Sequence, residues 1–467
     1  MIIIGIIILV LFVAFAIVYT AYRPVITLYA LAFVVSIVGI NVHIGVTFYL
    51  SRIVLIIFLL SLFLRTIKVN IKLIWVQIPV ISIVIQFVGI LFSDHVDDGL
   101  RALFIYICLA FIFITVIILG TKSEHIIKAV KVYLVTGIIQ GLYGIYQLIG
   151  GARHWPTYQT LMAGIPMAND RTKDGYFYTG AYSAFRAIGF FSSDVSHFAG
   201  YMAGVLLLAI ASLVYNRRSL FPYMVLLFGG AGLLFSLSRS GILAFFLFGL
   251  PSLFYFLKTT RLLPKFKLRS PKKLIAIAAV VVIAINFAPV KIPNPLIILS
   301  SRFENIVNPG SSSTESMSEH VITRETGFDA FLSSPIIGVG LGVNAAPWYS
   351  EKYKRFWAGS HSYHFDALGQ TGLLGAITEW LLMGLIITYM IRGLRTPSSN
   401  RQGKIVLAGL LSAYITIVLG NFFYFYYLND FVWFIMGCGV ALSRAIVSEA
   451  KIDNLATQSN QTESKSI

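Results

Sequence analysis

Charge is scarce in this sequence: charged residues fill 12% of its 467 positions, against 57% that are hydrophobic. A mean hydropathy of +0.83 excludes a soluble domain of this length, because so few polar groups cannot clothe a water-facing surface. Cysteine is almost missing. Cys108 and Cys438 each fall within an apolar run, with no partner at framework or zinc-ligand spacing. That excludes a disulfide scaffold and a cysteine metal site, and leaves both as small buried hydrophobes. Acidic residues are few as well, 19 against 36 Lys and Arg, for a net charge of +17. In a chain this apolar the excess reflects basic cytoplasmic loops, so nucleic acid is not an expected partner. The first apolar run has no basic region before it and no small-residue cleavage site after it, so it reads as a retained helix rather than a signal peptide. No convincing repeat relates the two halves.

What is present is apolar sequence in helix-length pieces. A span needs roughly 20 mostly apolar residues, and lipid admits only helices or closed barrels. Such runs lie near 2–19, 24–40, 52–64, 73–93, 102–120, 131–149, 198–215, 220–236, 240–257, 274–290, 375–391, 405–422 and 430–446. The third is short and the first two are close together. The expected fold is therefore all-α, a polytopic transmembrane helical bundle of about 12–13 spans with two long, partly helical outer loops. The expected divisions are N-terminal helices in 1–149, a first outer loop in 150–197, central helices in 198–290, a second outer loop in 291–374, C-terminal helices in 375–446, and a disordered cytoplasmic tail in 447–467.

Loop charge sets the expected orientation. The linkers after the third, fifth, seventh, ninth and eleventh runs are basic, and "KTTRLLPKFKLRSPKK" alone holds seven Lys and Arg. These are expected in the cytoplasm. The alternate linkers are poor in basic residues or acidic, as in "SDHVDDGLR", and they include both long loops. The long loops therefore face outward, where function tends to concentrate. The first holds "RAIGFFSSDVSH" from Arg186, the second holds "RETGFDAFLSSPIIGVGLG" from Arg324, and "SHSYHFDALGQTGLLG" follows from Ser360. A tight outer turn, "SLSRSGIL", carries Arg239. Three arginines and His361 thus fall on one face of the membrane.

These residues carry a resemblance. His361-Ser362, nine residues, then Gly372-Leu373-Leu374-Gly375 reproduce the signature His-[Asn/Ser/Gln]-x9-Gly-x2-Gly. Arg324 opens a segment that ends in Pro335-x-x-Gly338-x-Gly340. Arg186, Gly189 and Phe191 form Arg-x-x-Gly-x-Phe, and Ser238, Arg239 and Leu243 form Ser-Arg-x-x-x-Leu. From about Gly180 to the twelfth span the chain resembles the O-antigen ligase and O-antigen polymerase superfamily of bacterial membrane glycosyltransferases. One departure is "SSDVSH", where members commonly carry Pro-Asn; Asp194 and His197 stand there instead. The resemblance implies a GT-C-like, inverting, metal-independent enzyme without a cofactor, on the outer face of the cytoplasmic membrane. It implies an undecaprenyl-diphosphate-linked glycan donor, a glycan or lipid-anchored sugar acceptor, and a chain-length regulator or a flippase as protein partners. Ligase and polymerase are not separated by these motifs.

The chemistry of the residues agrees with that reading. Arginine offers a permanently charged planar fork that fits phosphate oxygens, and Arg186, Arg324 and Arg239 sit where a lipid diphosphate would lie. An imidazole titrates near ambient pH and suits the removal of a proton from an acceptor hydroxyl, which makes His361 the candidate base. His364 is a supporting group or an alternative base. Asp366 and Glu379 are read as local hydrogen-bonding groups. Trp348, Tyr353 and Trp357 are candidates to stack on sugar rings. Arginine can stabilise a diphosphate leaving group directly, and no Asp-x-Asp pair occurs on an outward loop, so no metal is called for. The alternative is a transporter or flippase of lipid-linked oligosaccharides. Transporters carry essential charge near the midplane and internal repeats, neither of which is expected here.

Overall fold

The computed structural model describes residues 13–38, 41–44, 46–64, 72, 74–93, 96–151, 156–157, 177–179, 184–191, 195–263, 314–341, 360–424 and 427–463. Its apolar helices are α1 (Val13–Tyr22), α2 (Val25–Val34), α3 (Leu50–Leu64), α4 (Ile74–Leu91), α5 (Val96–Leu119), α6 (Ser123–Gly151), α7 (Val195–Tyr215), α8 (Phe221–Phe235) and α9 (Arg239–Thr259). Next comes α10 (Thr314–Ser333), a polar helix, and then the apolar α11 (Tyr363–Arg395), α12 (Arg401–Gly420) and α13 (Asp430–Glu463). Among the described residues, eight helices are long and apolar enough to cross a membrane and four more are apolar but shorter. The chain is an all-α, multi-pass membrane bundle. The expected span at 274–290 lies outside the described residues. Two short antiparallel hairpins accompany the helices, β1 (Asn41–Ile44) with β2 (Val46–Tyr49), and β3 (Phe177–Thr179) with β4 (Ala184–Arg186).

Local sequence explains the helix boundaries. Asp97 and Asp98 lie in the first turn of α5, where the amide dipoles favour negative charge. Pro79 lies inside α4 and is tolerated because neighbouring helices in a bundle compensate the lost backbone bond. Small residues on α6 let neighbours approach closely: a Cβ on Gly137 would lie 2.5 Å from Val205, and one on Gly141 would lie 2.2 Å from the Phe228 carbonyl. The buried centre is aromatic, with Trp433 edge-on to Tyr106 at 5.1 Å and to Phe113 at 6.3 Å.

Two boundaries differ from the sequence reading. The helix expected to start at 375 starts at Tyr363 and is broken once, at Gly372, so the second outer loop ends earlier. The tail expected to be disordered continues α13 as far as Glu463, since 447–463 contains neither Gly nor Pro to stop it.

Contacts sort the connections to opposite ends of the bundle. At one end Asn400 Nδ2 donates to Ser123 Oγ and to Glu449 Oε2, both at 2.8 Å, and Arg401 donates to the Leu262 carbonyl at 3.2 Å. These are the ends with basic linkers. At the other end the Ala187 amide donates to the Phe235 carbonyl at 3.0 Å and the Tyr363 amide to the Asn421 carbonyl at 3.0 Å.

Candidate active site

The long motif of the second loop proves to be a backbone joint. Gly372 has φ 60° and ψ −165°, which interrupts α11 and frees backbone groups on both sides of the break. The turn from Pro335 to Gly340 fills that break. Leu373 and Leu374 amides donate to the carbonyls of Pro335 at 2.8 Å and Ile336 at 3.2 Å. In return, the Val339 and Gly340 amides donate to Gly369 at 3.0 Å and Gln370 at 3.1 Å. The glycines are required sterically. A Cβ on Gly372 would lie 2.4 Å from the Ile336 carbonyl carbon, and one on Gly338 (φ 76°) would lie 2.2 Å from the Gln370 oxygen. The same turn touches the end of α4, where a Cβ on Gly340 would meet Ser93 Oγ at 2.2 Å.

His361 stands just before α11 in a left-handed conformation, φ 52°, which non-glycine residues adopt mainly where surrounding structure holds them. The surroundings do hold it. The Ser360 amide donates to Asp366 Oδ1 at 2.8 Å, Ser360 Oγ donates to the Ser362 carbonyl at 2.7 Å, and Thr323 Oγ1 on α10 donates to the Ser360 carbonyl at 3.0 Å. Ser362 Oγ donates to the Asn421 carbonyl at 3.1 Å, which anchors the turn to the α12–α13 connection. The His361 ring lies 6.0 Å from that of Tyr424, and His197 approaches the same tyrosine at 5.2 Å.

Arg324 follows Thr323 on α10, so it is tied in sequence to the bond that holds Ser360. Burial lowers its pKa from the usual arginine value, and among the described residues its Nε has no hydrogen-bond partner. Gly327, one turn on, lets α10 sit against Ser360, where a Cβ would come within 3.1 Å. Arg186, at the end of β4, is buried and donates from Nε to the Ser236 carbonyl at 2.8 Å. That bond joins the Arg-x-x-Gly-x-Phe element to the α8–α9 turn. Arg239 begins α9 from that turn, behind the capping residue Ser238, whose Oγ also reaches Ser196 at 3.3 Å. The four expected groups are therefore carried by mutually hydrogen-bonded or packed elements at one end of the bundle.

His364 is placed differently. The Trp380 indole donates to its Nδ1 at 3.1 Å, which leaves Nε2–H to donate to the Val418 carbonyl at 3.1 Å. Both nitrogens are committed inside the fold. It does not share a helix face with His361, which precedes the helix. Trp348, Tyr353 and Trp357 lie outside the described residues.

Residues 223–378 match the family model for O-antigen ligase. No curated protein matches the chain significantly. The matched segment includes Arg239, Arg324, His361 and the Gly338–Gly372 joint, and it supports membership of the O-antigen ligase and polymerase superfamily. The match spans about a third of the chain and marks that segment as similar to the O-antigen ligase family.

Beyond the O-antigen ligase segment, Gln140 and Gln147 on α6 grip the Arg186 element. Gln147 Oε1 accepts from the amides of Ile188 at 3.1 Å and Gly189 at 2.9 Å, and Gln140 Oε1 accepts from Phe190 at 2.8 Å. Two glutamines seven apart on one face of an apolar helix were the available signal. A second feature concerns charge depth. Glu379 is buried within α11, where its Oε1 accepts from Ser82 at 2.7 Å, from Gln86 at 3.0 Å and from Tyr106. The sequence reads Glu379 as a local hydrogen-bonding group; its donors come instead from α4 and α5, and a carboxyl seven residues past the helix break can enter the bundle because three donors meet it.

Proposed function

We propose that the chain transfers a glycan from a polyprenyl diphosphate to an acceptor sugar hydroxyl at the outer face of the cytoplasmic membrane, as an O-antigen ligase or polysaccharide polymerase. The observation that carries this reading is Arg324: a partly buried guanidinium whose Nε has no hydrogen-bond partner among the described residues, one residue from the bond that fixes the His361 turn. A partly buried cation with an open N–H is a site for an anion, and a diphosphate at the lipid–water boundary supplies one. His361 takes the proton of the acceptor hydroxyl as that oxygen bonds to the anomeric carbon. The bond from that carbon to the diphosphate breaks in the same displacement, which inverts the centre, and charge gathers on the leaving diphosphate beside Arg324, Arg186 and Arg239. Arginine carries the role otherwise given to a divalent ion. Trp348, Tyr353 and Trp357 are proposed to contact the glycan, and His364 to support the site by holding α11 to α12.

An apolar groove of about 510 Å3 runs beside His364, lined by Phe365, Leu368, Trp380, Met383 and Ile387. Gly384 opens it, since a Cβ there would meet nothing within 4 Å. It suits the prenyl chain.

The purified protein with lipid-linked donor and acceptor, in chelator, is expected to turn over; abolition by chelator would assign the leaving-group charge to a metal. If the arginines bind through their forks, Arg324→Lys should lose nearly as much activity as Arg324→Ala, because an ammonium is a point charge. The same is expected at Arg186, where lysine also loses the bond to Ser236. Wild-type rates in both lysine variants at matched expression would reduce these residues to generic positive charge.

Orientation is tested separately. On intact spheroplasts an impermeant thiol reagent should label Glu325→Cys and spare Ser399→Cys, both at exposed positions on opposite ends of the bundle. The reverse pattern would move the proposed site to the cytoplasm.

A further inference from the structure

Beneath the His361 turn lies a cavity of about 270 Å3 that the transfer chemistry above does not use. Its lining includes Asp366, His197 and Asp430, together with Gln86, Tyr106 and Glu379. The last three are 3%, 2% and 1% exposed, so this part of the lining lies deep inside the bundle. From the helix break to Glu379 is about 10 Å at the rise of an α-helix.

Two buried oxygens here, Gln86 Oε1 and Glu379 Oε2, make no close hydrogen bond among the described residues, although the Tyr363 and Tyr427 hydroxyls face the Glu379 carboxyl. Buried polar atoms are almost always satisfied, so two such oxygens beside a cavity call for a ligand with hydroxyl groups. An anion is disfavoured because Asp366, Glu379 and Asp430 all border the space. No group of three or more His, Cys, Asp or Glu among the described residues is arranged to hold one metal ion. A neutral polyol remains, with hydroxyls for the oxygens and C–H faces for the Tyr106 ring. The donor sugar is tied at one end to its diphosphate and at the other to its glycan, so it fits poorly into a space lined by such buried residues. A terminal sugar can. We propose that this cavity binds the terminal sugar of the acceptor glycan, with Glu379 and Gln86 receiving its hydroxyls and the Asp366 wall leading up to His361. The proposal rests on the transferase reading and names the acceptor subsite within it.

The test measures binding as well as turnover. The probe is the acceptor oligosaccharide released by mild acid from the host's own envelope, titrated into the full-length protein in nanodiscs. Wild type should bind it, and inorganic pyrophosphate should not displace it. Glu379→Gln and Gln86→Met, which keep side-chain volume, should each weaken binding about tenfold or more, because hydrogen bonds at buried sites discriminate strongly. In the transfer assay the acceptor KM should rise by a similar factor while the donor KM stays within about twofold. A merely structural role would lower thermal stability and leave the acceptor KM unchanged. Equal acceptor affinity in both folded variants, or displacement by pyrophosphate, would overturn the proposal. Acceptor binding that responds to both variants in a protein that transfers nothing would instead count against the transferase reading alone.

Discussion

His361→Asn should lower the transfer rate about a hundred- to ten-thousand-fold, the usual contribution of a positioned proton acceptor, in a protein that still folds and inserts. Asparagine is the informative replacement because residue 361 has φ 52°, a conformation asparagine tolerates and alanine does not. His361→Ala should be equally inactive and slightly less stable, and donor binding should survive in both. The control lies three residues on. His364→Ala removes partners from Trp380 and from the Val418 carbonyl, so it should cost about 1–3 kcal/mol of stability, with turnover per folded molecule close to wild type. Turnover retained in both His361 variants would sink the assignment, and loss confined to His364→Ala would move the base.

Gly372→Ala should be among the most damaging single methyl additions at the described residues. Its backbone, φ 60° and ψ −165°, lies in a region open essentially to glycine alone, and the added Cβ would stand 2.4 Å from the Ile336 carbonyl carbon. Neither neighbour can yield without breaking the four backbone bonds that join the Pro335–Gly340 turn to α11. The expected result is protein that is cleaved quickly by protease in the outer loop and inactive, with the remote helices intact. Gly230→Ala, where a Cβ meets nothing within 4 Å, should be silent in the same assay. A fully active, protease-resistant Gly372→Ala would mean that α11 is not broken there.

The bundle was legible because lipid leaves the backbone few options: apolar length located the helices among the described residues, and loop charge anticipated which connections share an end. The motifs mark segments that the fold joins, for reasons that spacing alone does not show. Ser362 follows His361 because it anchors to Asn421, and the nine-residue spacer sets the distance to a helix break, neither of which spacing alone reveals. Glu379 looked like one local acceptor among many. Its importance depends on Ser82, Gln86 and Tyr106, which are distant in sequence and meet only once α4, α5 and α11 pack. The Arg186 contact with Ser236 is likewise a tertiary fact.

The grip of Gln140 and Gln147 on the Arg186 element bears on how such enzymes can be recombined. Those glutamines lie outside the segment matched by the family model. A hybrid that joined this chain's first six helices to the later helices of a distant cousin would inherit two halves that had never been selected to fit one another. The natural crossover point lies before α6 rather than in the long loop behind it, however tempting that loop is as a place to cut.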